Sequence, residues 1–242
     1  MRKWVAAAAG LAIAAAVVGF LALRARSNRR LVERSCQPEA TTPGIDVSYH
    51  QQTIDWPRVQ RAGIRFAFIR LSDGATLRDT MFATNWAEAK RAGIVRGAYQ
   101  YFRPDQSVTA QADLMIAAMR GRDRDRDDLP PVIDVEVDAG LPASVVAERA
   151  AVWVDQIRTH LGVEPIVYTG SDLWRSGGAD PLAPQPLWIA HYTQSCPTLP
   201  PPWTRWAFWQ HTDRGAVPGI EGPVDLDRFA GAATELSRPA TR

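Results

Sequence analysis

The stretch that decides the fold is Pro131-Val-Ile-Asp-Val-Glu-Val-Asp138. Side chains alternate between the two faces of a strand, so this pattern predicts that Asp134 and Glu136 share one face. The apolar residues between them take the other face, where they can pack on helices. Two acids on one buried strand are costly unless a function requires them. The stretch therefore predicts a central strand that carries a functional pair of acids.

Short β-like runs recur on both sides of this strand, and helical patterns separate several of them. An alternation of strands and helices favours a parallel sheet, and about eight strands favour a barrel. We expect an irregular (β/α) TIM-like barrel of the α/β class with fewer helices in its second half. The expected strands are Gly44–His50, Phe66–Ser72, Val95–Phe102, Pro131–Val137, Pro165–Gly170, Leu187–Tyr192, Trp206–Thr212 and Val224–Phe229.

Two further acids, Asp46 and Asp225, lie in the first and last of these strands. First and last strands are neighbours in a closed barrel, so both side chains are expected near the pair. Catalytic groups of such barrels gather at the carboxyl ends of the strands. Glycoside hydrolysis uses acids of this kind, one to protonate the leaving oxygen and another group to handle the developing positive charge. Aromatic side chains follow the same strand ends, as in a groove for sugars: Tyr99, Tyr101, Tyr168, Trp188, Tyr192 and Trp209.

Composition excludes several other classes of function. The formal net charge of +2 and the absence of a clustered basic stripe beyond the N-terminal region argue against a nucleic-acid partner. The four histidines show no metal-ligand spacing, and the two cysteines form no zinc motif. These residues therefore give no indication of a metal site. Oligomeric state is left open.

The N-terminus forms a separate segment. An uncharged apolar stretch, Val5–Leu23, follows Arg2 and Lys3 and is near the length that a helix needs to cross a bilayer. We interpret residues 1–23 as a transmembrane anchor, with a cleaved signal segment as the alternative. The basic flank that follows, which includes Arg24 and Arg26, would by itself favour a cytoplasmic barrel.

The boundaries of the remaining segments follow from their composition. Residues 24–43 are expected to form a polar linker, residues 44–235 the barrel, and residues 236–242 a C-terminal tail. Cys36 in the linker and Cys196 in the barrel could form one disulfide in an exported protein, or remain two thiols.

Several motifs, taken together in their order and spacing, resemble glycoside hydrolases of family 25, the N-acetylmuramidases or Chalaropsis-type lysozymes. The likeness spans about residues 44–230. It departs at Gln100-Tyr101, where many relatives are expected to carry His-Phe. The motifs are Gly44-Ile-Asp-Val-Ser-Tyr-His-Gln, Ile54-Asp-Trp, Gly63-Ile-Arg-Phe-Ala-Phe-Ile-Arg, Gly97-Ala-Tyr-Gln-Tyr-Phe, Asp134-Val-Glu136, Ile166-Val-Tyr-Thr, Leu187-Trp-Ile-Ala, Trp209-Gln and Val224-Asp-Leu-Asp-Arg-Phe.

The resemblance implies hydrolysis of the β-1,4 bond between N-acetylmuramic acid and N-acetylglucosamine in peptidoglycan, without a cofactor. It matches Glu136 to the general acid/base and Asp134 to the acid that positions the substrate acetamide or stabilises charge. Supporting cleft acids match Asp46 and Asp225, and positions near the sugar match Tyr99, Tyr168, Trp188 and Gln210. A peptidoglycan substrate implies that the barrel lies outside the cytoplasm, against the basic flank.

Two other functions compete with this interpretation. Chitin-directed enzymes of family 18 also place Asp-x-Glu on a barrel strand, but their motif has another Asp where this chain has Val132. A non-catalytic glycan-binding barrel would be expected to lack the acid, and Glu136 is present. For the mechanism we favour attack by the acetamide of the substrate, with inversion through Asp46 or Asp225 as the alternative.

Overall fold

A closed barrel of eight strands dominates the computed structural model of the chain, which describes residues 40–120 and 128–236. The hydrogen-bonded order is β1-β9-β8-β7-β6-β5-β4-β2, and pairing of β1 with β2 closes the barrel. A two-residue strand, β3, adds to the outer end of β2. The expected barrel is thus confirmed. Its strands are β1 (Thr42–Val47), β2 (Phe66–Asp73), β3 (Leu77–Arg78), β4 (Val95–Tyr101), β5 (Val132–Asp134), β6 (Ile166–Gly170), β7 (Leu187–Ala190), β8 (Phe208–Gly215) and β9 (Val224–Phe229).

The prediction of a wholly parallel sheet was wrong at the last strand. β9 runs antiparallel to both of its neighbours, β1 and β8. The reason is the connection, because only residues 216–223 join β8 to β9 and they contain no helix. A parallel neighbour needs a crossover of a dozen or more residues, whereas a short turn can only reverse the chain. The start of β9 therefore lies at the same rim as the carboxyl ends of the other barrel strands.

In the part of the chain that the structure describes, four α-helices pack on the outside, all before residue 162: α1 (Trp56–Arg61), α2 (Phe82–Arg91), α3 (Val108–Arg120) and α4 (Ala143–Leu161). Asp55 caps α1 by accepting from the Arg58 N–H at 3.0 Å, and Gly162 ends α4 in the left-handed conformation. Within residues 162–236 the only helical elements are two short 3₁₀ turns, at Asp180–Leu182 and Ala233–Glu235. The expected loss of helices in the second half is confirmed.

The core has two layers, one inside the barrel and one between the sheet and the helices. Aromatic rings fill the lower interior, where Phe208 lies 5.0–5.3 Å, between ring centroids, from Phe66, Phe68 and Phe229. In the outer layer Trp153 of α4 is fully buried and donates to the Gln100 side chain at 2.8 Å. Each such ring contributes roughly 1.5–3 kcal/mol by burial.

Strand β5 is shorter than expected, which changes the setting of the acid pair. It ends at Asp134, so the expected strand through Val137 was too long. One more backbone hydrogen bond joins the chain to β6 beyond this strand: the Val135 N–H donates to the Tyr168 carbonyl at 2.9 Å. The chain then turns away through Ala139 and Gly140, both at positive φ. Glu136 therefore lies beyond the strand, on the rim.

The predicted membrane segment, residues 1–23, and Cys36 lie outside the described residues. In residues 40–120 and 128–236 no helix is both long and apolar enough to cross a membrane. Cys196 takes part in a disulfide, and its pairing with Cys36 stays a prediction. β1 begins at Thr42, and its hydroxyl donates to the Gly231 carbonyl at 2.8 Å.

Candidate active site

A cavity of about 230 Å³ opens where the barrel strands end at the upper rim. The alternation that buries aromatic rings lower down places polar side chains here, two residues further along each strand. All nine residues predicted for the site line this cavity: Asp46, Tyr99, Tyr101, Asp134, Glu136, Tyr168, Trp188, Gln210 and Asp225. The strand register brings them together, since Asp134 pairs with Tyr101 on one side and Tyr168 on the other.

The acid pair combines a buried and an open carboxyl group. Asp134 is only 4% exposed, and its Oδ1 has no hydrogen-bond partner. Glu136 lies open to the cleft, and its carboxyl is within hydrogen-bonding reach of Asp134 and Tyr168. Burial raises the pKa of Asp134 well above its ordinary value, and the Glu136 charge raises it further. Partial loss of hydration also raises the pKa of Glu136. The pair can therefore retain one proton at a pH where a free carboxyl would be ionised.

A second group of acids faces the pair across the barrel. Asp46 and Asp225 are directly opposite one another on β1 and β9, as expected for first and last strands. Asp227 lies one inward position deeper on β9. Burial raises the pKa of Asp225 to about 6. It raises the pKa values of Asp46 and Asp227 well above the ordinary range, and the charge of a neighbouring acid adds to each shift, that of Asp227 for Asp46 and that of Asp225 for Asp227.

Gln210 connects these acids to the aromatic wall. Its Nε2 donates to Asp46 Oδ2 at 2.8 Å. Its Oε1 accepts from the Tyr168 hydroxyl at 2.8 Å and from the Tyr192 hydroxyl at 3.0 Å. Tyr192 is 54% exposed, whereas Trp188 is buried, so these two rings have different uses. Trp188 supports the floor by stacking on Phe68 and donating to Asp227, and Tyr192 offers a face at the entrance.

Two charged residues of the cavity region, Arg70 and Asp227, were not selected from the sequence as site residues. Arg70 belongs to the alternation of β2, two positions after Phe68, and this pattern could have placed it in the interior. Asp227 could have been found in the same way from Asp225 on β9. Tyr192, which the sequence places among the groove aromatics, lines the cavity although it lies past the end of β7.

The departure at Gln100 does not affect the cleft. Gln100 is fully buried on the outer face of β4. There its Nε2 donates to Ser72 Oγ at 2.8 Å, while its Oε1 accepts from Trp153. Tyr101, its neighbour, does line the cavity. At Gln100 the departure thus changes the layer between sheet and helix, whereas at Tyr101 it changes a residue that lines the cavity.

A second cavity of about 450 Å³ extends from the first, past Glu136 and Tyr192 towards residues 170–173. Glu136, Tyr168 and Tyr192 line both cavities. The open acid therefore lies between two adjacent cavities, as expected for a group that acts on a bond between two units of a chain. Among the residues that the structure describes, no cluster of three or more His, Cys, Asp or Glu side chains could hold a metal ion.

Comparisons with known proteins agree with this geometry. The model for "Glycosyl hydrolases family 25" matches residues 45–220. Protein YegX of Escherichia coli (strain K12) is 40% identical over 201 residues, covering 81% of this chain and 72% of that protein. Lysozyme M1 of Streptomyces globisporus is 34% identical over 216 residues, covering 84% and 74%.

The crystal structure of the bacterial lysozyme from Streptomyces coelicolor superimposes with a TM-score of 0.75 at 33% identity. The superposition covers 84% of this chain and 98% of that one. Because the family match spans most of the barrel and includes the strand that carries Asp134 and Glu136, the chain belongs to glycosyl hydrolase family 25.

Proposed function

We propose that this chain is a muramidase that hydrolyses the β-1,4 bond between N-acetylmuramic acid and N-acetylglucosamine in peptidoglycan. The observation that carries the proposal is the pairing of a buried Asp134 with an open Glu136 between two adjacent cavities. Relatives named lysozyme support the same substrate. A family 18 type chitinase is disfavoured because Val132 stands where its motif has an acid.

The roles of the acids follow from their exposure. Glu136 reaches the cleft, so it protonates the glycosidic oxygen while the bond from that oxygen to the anomeric carbon breaks. The acetamide oxygen of the sugar that contains this anomeric carbon forms the new bond to it, and Asp134 accepts a hydrogen bond from the acetamide N–H. Glu136, now ionised, then takes a proton from water as the water attacks the anomeric carbon and releases the acetamide. The positive charge that develops on the acetamide is offset by Asp134.

The separation of the acids supports this sequence over a protein nucleophile. Two carboxyls that flank the bond in a retaining enzyme lie about 5–5.5 Å apart, and those of an inverting enzyme about 6.5–9.5 Å apart. Asp134 and Glu136 are two residues apart at the end of β5 and line the same cavity, so we expect both to lie on one side of the sugar. The alternative is inversion, with Asp46 or Asp225 activating water from across the cavity.

Two measurements with the purified chain test the proposal. Clearing of a suspension of purified peptidoglycan should release new reducing ends of N-acetylmuramic acid. Release of reducing N-acetylglucosamine alone, or no clearing, would overturn the substrate assignment and leave a non-catalytic glycan-binding barrel as the alternative. NMR of the first product should show the β anomer, whereas initial α anomer would support the inverting scheme.

We also propose that residues 1–23 anchor the protein in a membrane, that residues 24–43 tether a barrel spanning residues 44–235 outside the cytoplasm, and that residues 236–242 form a tail. The apolar stretch and the wall substrate support this arrangement, and the basic flank opposes it. Fusions after residue 40 to reporters that work on only one side of the membrane decide the orientation. A cytoplasmic signal would reject the arrangement. Mass analysis with and without reductant tests whether Cys36 and Cys196 pair.

A further inference from the structure

Arg70 is a cation set into the floor of an otherwise acidic cavity. It is the only lysine or arginine among the described residues that line the 230 Å³ cavity, and its side chain is only 13% exposed. Its Nε donates to Asp79 Oδ2 at 3.0 Å, and its guanidinium lies 4.7 Å from the centre of the Tyr49 ring. Asp79 in turn accepts from the backbone N–H groups of Tyr49 and Met81. The positive charge is therefore held in a fixed place.

The contacts with Asp79 and Tyr49 leave one nitrogen of the Arg70 guanidinium without a hydrogen-bond partner. Arg70 Nη2 is buried and has no hydrogen-bond partner, and the same is true of Asp134 Oδ1. A buried polar atom without a partner destabilises the folded protein, and it does so more strongly when the group is charged. The two atoms have opposite character and belong to residues that line the same cavity. Arg70 lowers the pKa of Asp134, in opposition to the burial and the neighbouring acids that raise it.

The acid pair needs such an opposing charge for the proposed reaction. Asp134 is more deeply buried than Glu136, and burial disfavours the charged form of a carboxyl. Burial alone would thus place the shared proton on Asp134 and leave Glu136 ionised. Protonation of the leaving oxygen needs the reverse distribution, because Glu136 is the acid that faces the cleft.

We propose that Arg70 is a positioning residue for the reaction: its fixed guanidinium keeps the negative charge of the pair on Asp134, so that Glu136 holds the proton. The catalytic meaning of this inference rests on the proposed function, whereas the order in which the two acids ionise can be measured without it. Arg70 acts through Asp134 and needs no contact with the reacting atoms. The ion pair with Asp79 serves to hold the guanidinium in place.

Other titratable groups also face Asp134, and the effect of Arg70 must be separated from theirs. Only Arg70 among them carries a positive charge. Tyrosines and acids from the surrounding strands make up the rest, and the acids raise the pKa of Asp134. The set consists of Asp46 from β1, Arg70 and Asp73 from β2, Tyr99 and Tyr101 from β4, Tyr168 from β6, and Glu136.

The direct test is the order in which the two acids ionise in the wild-type protein, followed by carboxyl ¹³C NMR as a function of pH. Asp134 should ionise at lower pH than Glu136, and the order should reverse in Arg70→Gln. Arg70→Lys keeps the charge and should keep the order. If Glu136 ionises first in the wild-type protein, the proposal is overturned, whether or not any variant folds and whether or not the protein clears peptidoglycan.

The pH profile of activity gives a second readout. Arg70→Gln should lower kcat at pH 6 by about tenfold, since one pKa unit is a factor of ten in the balance between protonation states. It should leave KM within about twofold and shift the optimum, while Arg70→Lys restores its position. Arg96→Gln is the matched control. It also removes a buried arginine that is paired with an aspartate, Asp128 at 2.9 Å, but on the outer face of β4.

The control separates the electrostatic effect from a structural one. Arg96→Gln should reduce stability without moving the optimum, because Arg96 is not in the cavity. An equal loss of kcat at every pH in a folded Arg70→Gln protein would contradict the proposal, since that is the result of a structural role alone. An unchanged kcat would contradict it as well.

Discussion

The interior of the barrel has two halves that use the same strands but differ in chemistry. In the lower half the inward side chains are Phe66, Phe68, Val132, Ile166, Phe208 and Phe229, all buried. One inward position higher they become Arg70, Asp134, Tyr168, Gln210 and Asp227. A step of two residues, about 6.6 Å along a strand, separates an apolar core from a group of acids.

The comparison shows how a costly site is supported. Several carboxyl groups packed together destabilise the folded chain, because burial and mutual repulsion both raise their pKa values. The aromatic layer below stabilises the same strands by burial. Stability and chemistry are therefore separable along each strand, and substitutions in the two halves should affect different measurements.

The largest expected effect is in the upper half. Glu136→Gln should reduce peptidoglycan clearing by about a hundredfold or more, because a positioned general acid contributes at least that factor. The melting temperature should stay close to the wild-type value, since Glu136 lies on the rim. A folded variant that clears peptidoglycan at the wild-type rate would contradict the assignment of Glu136.

The opposite result is expected from the lower half. Phe208→Ala should lower the free energy of unfolding by about 3–5 kcal/mol, because it leaves a cavity among three other rings. The activity per folded molecule should change little, as measured by kcat below the unfolding transition. A large loss of kcat with unchanged stability would show that the two halves are not separable.

A smaller effect on activity is expected from the second acid of the pair. Asp134→Asn should reduce kcat by roughly tenfold, less than Glu136→Gln, because the amide can still accept a hydrogen bond but cannot offset a positive charge. Steady-state rates of the two variants under one set of conditions give the comparison. A larger loss in Asp134→Asn than in Glu136→Gln would reverse the assigned roles.

The smallest effect concerns stability and pH. The folded pKa of Asp225, about 6, is raised above the value near 3.9 expected in the unfolded chain. Its contribution to stability is therefore present below pH 4 and is lost as pH rises from about 4 through 6. In Asp225→Asn the decrease in the free energy of unfolding between pH 4 and pH 7 should be smaller than in the wild type by about 1–2 kcal/mol, after allowance for solvent screening.

Urea unfolding at pH 4 and pH 7 measures the change with pH in Asp225→Asn. Asp155→Asn, an exposed acid on α4 with 70% side-chain exposure, serves as the control. Its change in unfolding free energy between the two pH values should equal that of the wild type. If Asp225→Asn also equals the wild type, Asp225 does not titrate with a raised pKa.

Much of this architecture could be predicted from alternation and capping alone. The strands around Asp46, Asp134 and Asp225 were placed to within a few residues, because inward and outward side chains differ so clearly. The direction of β9 was missed, since alternation is the same in a parallel and an antiparallel strand. Only the short loop before Val224 could have revealed it.

The missed residues share a different cause. Arg70 and Asp227 are charged residues at interior positions, and a charged residue in isolation is more often exposed. Their use depends on partners far away in the chain, such as Asp79 for Arg70 and Trp188 for Asp227. The early end of β5 depends on the turn at Ala139 and Gly140, which no periodicity records.

The antiparallel last strand also bears on when the enzyme becomes active. Asp46 and Asp225 face each other only after β9 has paired with β1, and the barrel closes only when β9 has also paired with β8. The two ends of the catalytic domain must therefore meet before the cleft exists. A nascent chain that has not yet produced residue 229 has an open sheet, with one wall of the cleft missing. Synthesis of β9 and closure of the barrel thus act together as the step that completes the cleft of a wall-degrading activity.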